Sequence, residues 1–277
     1  MKAVHVFMLV ALVVAWAVSP AFAQAPSLAQ PGSVFLEELT WVEARDAIAG
    51  GKTTVIIPTG GTEQNGPHMV LGKHNFLVKY KAGEIARQLG NAIVAPVLAY
   101  VPEGDIPGPK PAAGHMRFPG TITIPEAVYE GILEYAARSL RHAGFIDIAF
   151  VGDSGGNQAG QKAVSEKLNK EWAGTNVRVH HITDYYPGRG DAIAMANGLT
   201  MEEVGGHAGS QDTTSFLYLD PSKLRVDKFF VGKTNDGQGH TGDPRKATAY
   251  IGKLILEAQI GDAAAQIREL RITSRRQ

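Results

Sequence analysis

The sequence of 277 residues contains no cysteine. That excludes disulfides, thiolate nucleophiles, Cys-based zinc sites and iron–sulfur clusters together. Any metal must therefore be held by His, Asp, Glu, Asn or carbonyl oxygen. Net charge is missing too, because 27 Lys and Arg face 27 Asp and Glu. A nucleic-acid binder would carry a basic excess, so the balance argues against that partner. Charged residues make up only 19% against 44% hydrophobic, a globular composition too apolar for a disordered chain. Glycine, by contrast, is plentiful at 32, which predicts tight turns and close backbone approaches.

The most apolar run lies at the N-terminus. Lys2 gives a positive start, and Val6 to Val18 form an apolar core short of a membrane span. Ala21-Phe22-Ala23 then supplies a small-x-small cleavage pattern. Residues 1–23 are thus expected to be a secretory signal peptide cut after Ala23, the alternative being an uncleaved anchor. Cutting there removes Lys2 and no acid, leaving the mature chain one unit negative. The mature protein is expected to be secreted or periplasmic and free of the membrane, where a cysteine-free chain is indifferent to oxidation. Residues 24–34 read as a loosely ordered lead-in, and 35–277 as one domain.

Strand and helix patterns alternate through that domain. Helical spacing covers 39–49 with Thr40 as N-cap, 75–89 ended by Gly90, 125–142 with Gly144 just beyond, 158–172, 191–197 and 243–260. Apolar, β-branched runs at 53–58, 92–98, 145–151 and 177–182 read as strands. The alternation predicts an α/β fold, a parallel sheet covered on both faces. The Pro- and Gly-rich loop 99–124 is too long for a plain connection, and reads as a lid or an inter-subunit arm.

In such sheets the ligand site lies beyond the carboxyl ends of the strands. After the first strand comes TGGTEQNGPH and then GKHN, holding Glu63, Asn65, His68 and His74. After the third comes GDSGGN, with Asp153, Ser154 and Asn157. A later loop, GHAGSQDTTS, carries His207 and Asp212. Carboxylates and imidazoles converging without thiols suit a hard-to-borderline divalent cation, zinc first, with manganese or iron as alternatives.

The segment TEQNGPHMVLGKHN resembles the first metal-binding motif of the creatininase (creatinine amidohydrolase) family, usually TEQHGPHLPLGTD. FPGTITI at 118–124, VGDSGGNQ, GHAGSQDTTS and GDPRKAT at 242–248 extend the resemblance in order along the mature chain. It implies a three-layer α/β/α sandwich with a mostly parallel central sheet and a divalent metal site. It also implies hydrolysis of C–N bonds in cyclic amides or similar small molecules, and often a ring-shaped homo-oligomer. Glu63 matches a family metal ligand, and His207 a family His implicated in proton transfer. Asn65 and Ser154 stand where the family has ligand His residues, His74 where it has a bridging Asp, and Asp212 where it has a Glu.

A neutral imidazole cannot bridge two cations as a carboxylate does, so one ion is expected, held by Glu63, His74 and a carboxylate from Asp212 or Asp153. His207 is expected to pass a proton to the leaving nitrogen. Asn65, Ser154 and Asn157 are expected to orient substrate or stabilise the oxyanion, with His68 and His115 structural or lining the pocket. Two other readings stand beside this one. Ser154, His207 and Asp212 would make a serine-hydrolase triad, although a G-x-S-x-G elbow is missing. With several ligand positions changed, the chain could instead be a non-catalytic small-molecule binding protein.

Overall fold

The computed structural model describes residues 32–106, 108 and 114–274. The expected leader 1–23 and most of the lead-in lie outside these, as does part of loop 99–124. Residues from Gly32 onward form one compact unit.

Four strands build the sheet: β1 (Thr54–Thr59), β2 (Ala92–Val94), β3 (Asp147–Gly152) and β4 (Arg178–His181). Their order is β2-β1-β3-β4 and every pairing is parallel. Ile56 pairs with Val94 on one side of β1 and with Ala149 on the other. Every residue of β1 and β3 is buried, as their continuous apolar runs require of central strands covered on both faces. The second strand is shorter than the 92–98 run predicts. Pro96 has no N–H to give the ladder, and only Leu98 rejoins it, donating to the Pro58 carbonyl at 2.9 Å.

Side chains alternate between two cores. Ile56, Val94, Ala149 and Val151 face α2 (Lys73–Leu89) and α8 (Ala249–Thr273). Val55, Ile57, Ile148 and Phe150 face α3 (Glu126–Ala143) and α4 (Gln158–Glu171). This is the expected three-layer α/β/α sandwich. The first crossover, through α2, steps from β1 to β2 on one side, and the next, through α3, returns past β1 to β3. Right-handed crossovers in opposite directions put helices on opposite faces, and they leave a crevice between the carboxyl ends of β1 and β3.

Helix α1 (Trp41–Ala49) carries the expected Thr40 cap, here a full capping box with Glu43. Helix α2 starts two residues before the expected Asn75, so Lys73 and His74 belong to its first turn. Helix α5 (Gly190–Ala196) matches expectation within a residue, and α6 (Met201–Val204) follows it. The last helix does not begin at Asp243. That carboxylate caps a short turn over Pro244–Lys246, and Thr248 caps α8 proper. Helix α7 (Ser210–Leu219) occupies a segment that reads as loop. It packs so closely on α8 that a β-carbon at Gly252 would lie 1.9 Å from the Thr214 carbonyl oxygen.

Candidate active site

The crevice holds a cavity of about 610 Å³. Glu63 enters it from the loop after β1 and Asp153 from the residue after β3. The first turn of α2 adds Lys73 and His74, and its third turn adds Lys81. His207 comes from the approach to α7 and Asp212 from its first turn, Glu103 and His115 from loop 99–124. The sheet-edge rule thus brought the expected loops together.

His74 lies between two carboxylates. Its Nε2 is 2.8 Å from Glu63 Oε1 and its Nδ1 is 2.9 Å from Asp153 Oδ2. Burial and the Lys73 ammonium oppose a charge on this ring. The two carboxylates outweigh them, and the imidazole is pushed up to about 9. Lys73 Nζ is buried 3.0 Å from Asp212 Oδ2 and 3.4 Å from Glu63 Oε1. Burial opposes this ammonium as well, but Asp212 and Glu63 hold it firmly protonated. Asp153 is bonded by Lys81 Nζ and by the Tyr185 hydroxyl. Burial would raise its carboxyl, but Lys81 and His74 bring it down to about 2. Glu63 is likewise held well below the usual carboxylate range, burial being overcome by His74 and Lys73.

In the structure the residues of the expected ligand set pair with one another and with lysines. Both nitrogens of His74 face carboxylates at hydrogen-bond distance. Asp153 is neutralised by Lys81 and His74. Asp212 accepts from Lys73 and from the Ala208 N–H at 2.7 Å. Among the described residues, the group whose donor atoms converge for a metal is Glu63, His115 and His207, all within 4.8 Å of one another. His115 Nε2 is 3.3 Å from Glu63 Oε2, and His207 Nδ1 is 3.7 Å from Glu63 Oε1.

The donors suit a divalent ion. His207 Nε2 lies 2.8 Å from the Gln64 carbonyl, which can only accept, so the proton sits there and Nδ1 turns a lone pair toward Glu63. Burial first, then Lys73, lowers His207 to about 4, and burial lowers His115 too. Both imidazoles are therefore neutral, as metal ligands must be. Gln64 Oε1 accepts from the Gly66 N–H, so its amide nitrogen faces His115 Nδ1. An ion at this point requires the other His115 tautomer and a turned Gln64 amide.

The expected substrate contacts lie elsewhere. Asn65, His68 and Asn157 are fully buried and do not line the cavity. Asn65 donates to the Glu63 and Val70 carbonyls, and Asn157 to those of Thr59 and Gly60. His68 donates to the Ala208 carbonyl and braces a residue in the left-handed region, φ 49°. All three hold the loops that carry the site. Ser154 does line the cavity. The triad is not assembled, however: His207 bonds the Gln64 carbonyl and Asp212 bonds Lys73.

The sequence reading missed Lys73, Lys81 and Glu103. A signal for the lysines exists. Lys73, Leu77 and Lys81 fall at i, i+4 and i+8 on one helix face, so two lysines sit in the apolar stripe of α2, where a solvated lysine does not belong. Glu103 approaches so closely that a β-carbon at Gly61 would be 2.1 Å from its Oε1. Burial and the neighbouring Glu63 charge push its carboxyl up to about 8.

Comparison with known proteins agrees with this architecture. The creatininase profile, described as creatinine amidohydrolase, matches residues 37–267. The mycofactocin precursor peptide peptidase of Mycolicibacterium smegmatis is 27% identical over 237 residues, covering 77% of this chain and 84% of the relative. Two solved structures, a manganese form of creatininase and a Zn–Zn form of a creatininase mutant, superimpose with TM-scores of 0.69 and 0.67. Each is 24% identical and covers 86% of this chain and 98% of its own. The chain belongs to the creatininase family of amidohydrolases.

Proposed function

We propose that this enzyme hydrolyses the amide C–N bond of a small peptide-like molecule with the help of one divalent ion, zinc first. The observation that carries the reading is the convergence of Glu63, His115 and His207 on the cavity, with both imidazoles kept neutral by burial. Two His and one carboxylate form a ligand set that leaves positions open for catalysis. A bound divalent ion would polarise the amide carbonyl and lower the pKa of an attacking water.

The chain's own groups supply the rest. His207, lowered to about 4, is a poor proton donor at neutral pH and serves better as a ligand. Glu103 lines the same cavity, where burial favours its protonated form. It is suited to protonate the departing nitrogen. Ser154, Gly155 and Gly156 also line the cavity, where they can orient the carbonyl.

The peptide-like substrate rests on two supports. The relative from Mycolicibacterium smegmatis is a peptide peptidase. The cavity, at about 610 Å³, lies in the range that takes drug-sized ligands and has room beyond a single small ring. The leader-like composition of residues 1–23 supports a site of action outside the cytoplasm.

The test is a mass-spectrometric assay for new amine and carboxyl termini, using short peptides and creatinine as substrates. Turnover of peptides that stops with chelator and returns with zinc or manganese is the expected result. Turnover indifferent to chelator overturns the metal assignment. Binding of peptides without turnover under any ion makes the protein a binding module on this fold.

A further inference from the structure

We propose that the Lys73 ammonium takes the place of a second cation, so that the site is built for one divalent ion per chain. This rests on the proposed metal-dependent reading and goes beyond it by assigning a determinant of metal stoichiometry to a residue outside the ligand set.

Lys73 is buried, 3.0 Å from Asp212 Oδ2 and 3.4 Å from Glu63 Oε1. It thus bridges two carboxylates on different elements, the loop after β1 and the first turn of α7, as a shared metal ion would. The position is costly. The N-terminal turn of a helix favours anions and disfavours cations, and a buried ammonium loses its hydration. Yet α2 opens with Lys73 and His74, both buried, and no acidic residue in that turn. No sequence preference of the helix accounts for this placement. The facing carboxylates do.

Charge matching around the cavity closes the argument. Asp153 is paired with Lys81 and His74, Asp212 with Lys73, and Glu63 Oε1 with His74 and Lys73. Glu63 Oε2 lies 3.3 Å from His115 Nε2. Repulsion between like charges rises steeply at short range inside a protein. A divalent ion between Glu63 and Asp212 would have to sit against the ammonium that already occupies that span, whereas one held by Glu63, His115 and His207 need not displace it.

The experiment counts metal. Wild-type protein and the Lys73→Arg and Lys73→Ala variants are saturated with zinc, desalted and analysed for zinc per chain by elemental analysis and native mass spectrometry. The proposal expects one zinc in wild type and in Lys73→Arg, and two in Lys73→Ala, with Glu63 and Asp212 released to hold the second. Two zinc ions in wild type overturn it, as does a folded Lys73→Ala variant that stays at one. No zinc in wild type overturns the metal-dependent reading itself, and this inference with it. Should Lys73→Ala not fold, calorimetric titration of wild type with zinc decides: one equivalent supports the proposal and two overturn it.

Discussion

The Lys73 ammonium lies 3.0 Å from Asp212 Oδ2, a partly buried ion pair that ties the first turn of α2 to the first turn of α7 across 139 residues of sequence. Removing one partner of a buried pair leaves the other charge uncompensated, at a cost of about 3–5 kcal/mol. Asp212→Asn is therefore expected to destabilise the protein by about 3 kcal/mol in denaturant unfolding. A change below about 1 kcal/mol would show that water already screens the pair.

His74 makes stability depend on pH. Its folded-state pKa of about 9 lies above the unfolded value of 6.5, so its contribution is fully present below pH 6.5 and is lost as pH rises through 9. In metal-stripped protein the melting temperature is expected to fall between pH 6.5 and 9.5, for a loss on the order of 3 kcal/mol. His74→Gln is expected to flatten that slope while lowering stability at pH 6. An unchanged slope in the variant would remove His74 as its source.

Ser154 lines the cavity without a histidine partner, so Ser154→Ala is expected to lower kcat less than tenfold. A nucleophile backed by a general base would cost several orders of magnitude on removal. Loss on that scale, or covalent labelling of Ser154 by a phosphonate, would revive the serine-hydrolase mechanism.

Gly252 marks where α7 and α8 cross. A β-carbon there would sit 1.9 Å from the Thr214 carbonyl oxygen, against backbone that cannot swing aside. Gly252→Ala is expected to cost about 1–3 kcal/mol, the range of an overpacked core, measured by chemical denaturation. A neutral or stabilising effect would mean that the two helices separate easily.

Much of this molecule is legible in its sequence. Runs such as TVIIP and DIAFV can only be buried strands, and their alternation with amphipathic helices leads to the layered sheet and to its carboxyl edge. The failures have local causes. Pro96 cuts β2 short. Thr213 and Thr214 are poor helix formers, and α7 exists because α8 packs over it. The Asp243 side chain serves a short turn, although the sequence there looks like a helix start. Glu63 is legible because it stands in a family motif, whereas the lysines that neutralise its neighbours match no motif position. Ion pairs such as His74 with Asp153 join residues 79 apart, and no periodicity reports them.

The ligand set makes the central claim. Crystals soaked in zinc and measured on both sides of the zinc absorption edge give an anomalous map that locates the ion directly. The account predicts one strong peak per chain bounded by Glu63, His115 and His207, and its loss in Glu63→Gln. A peak held instead by His74 and Asp153, or turnover by crystals that show no peak, would contradict it.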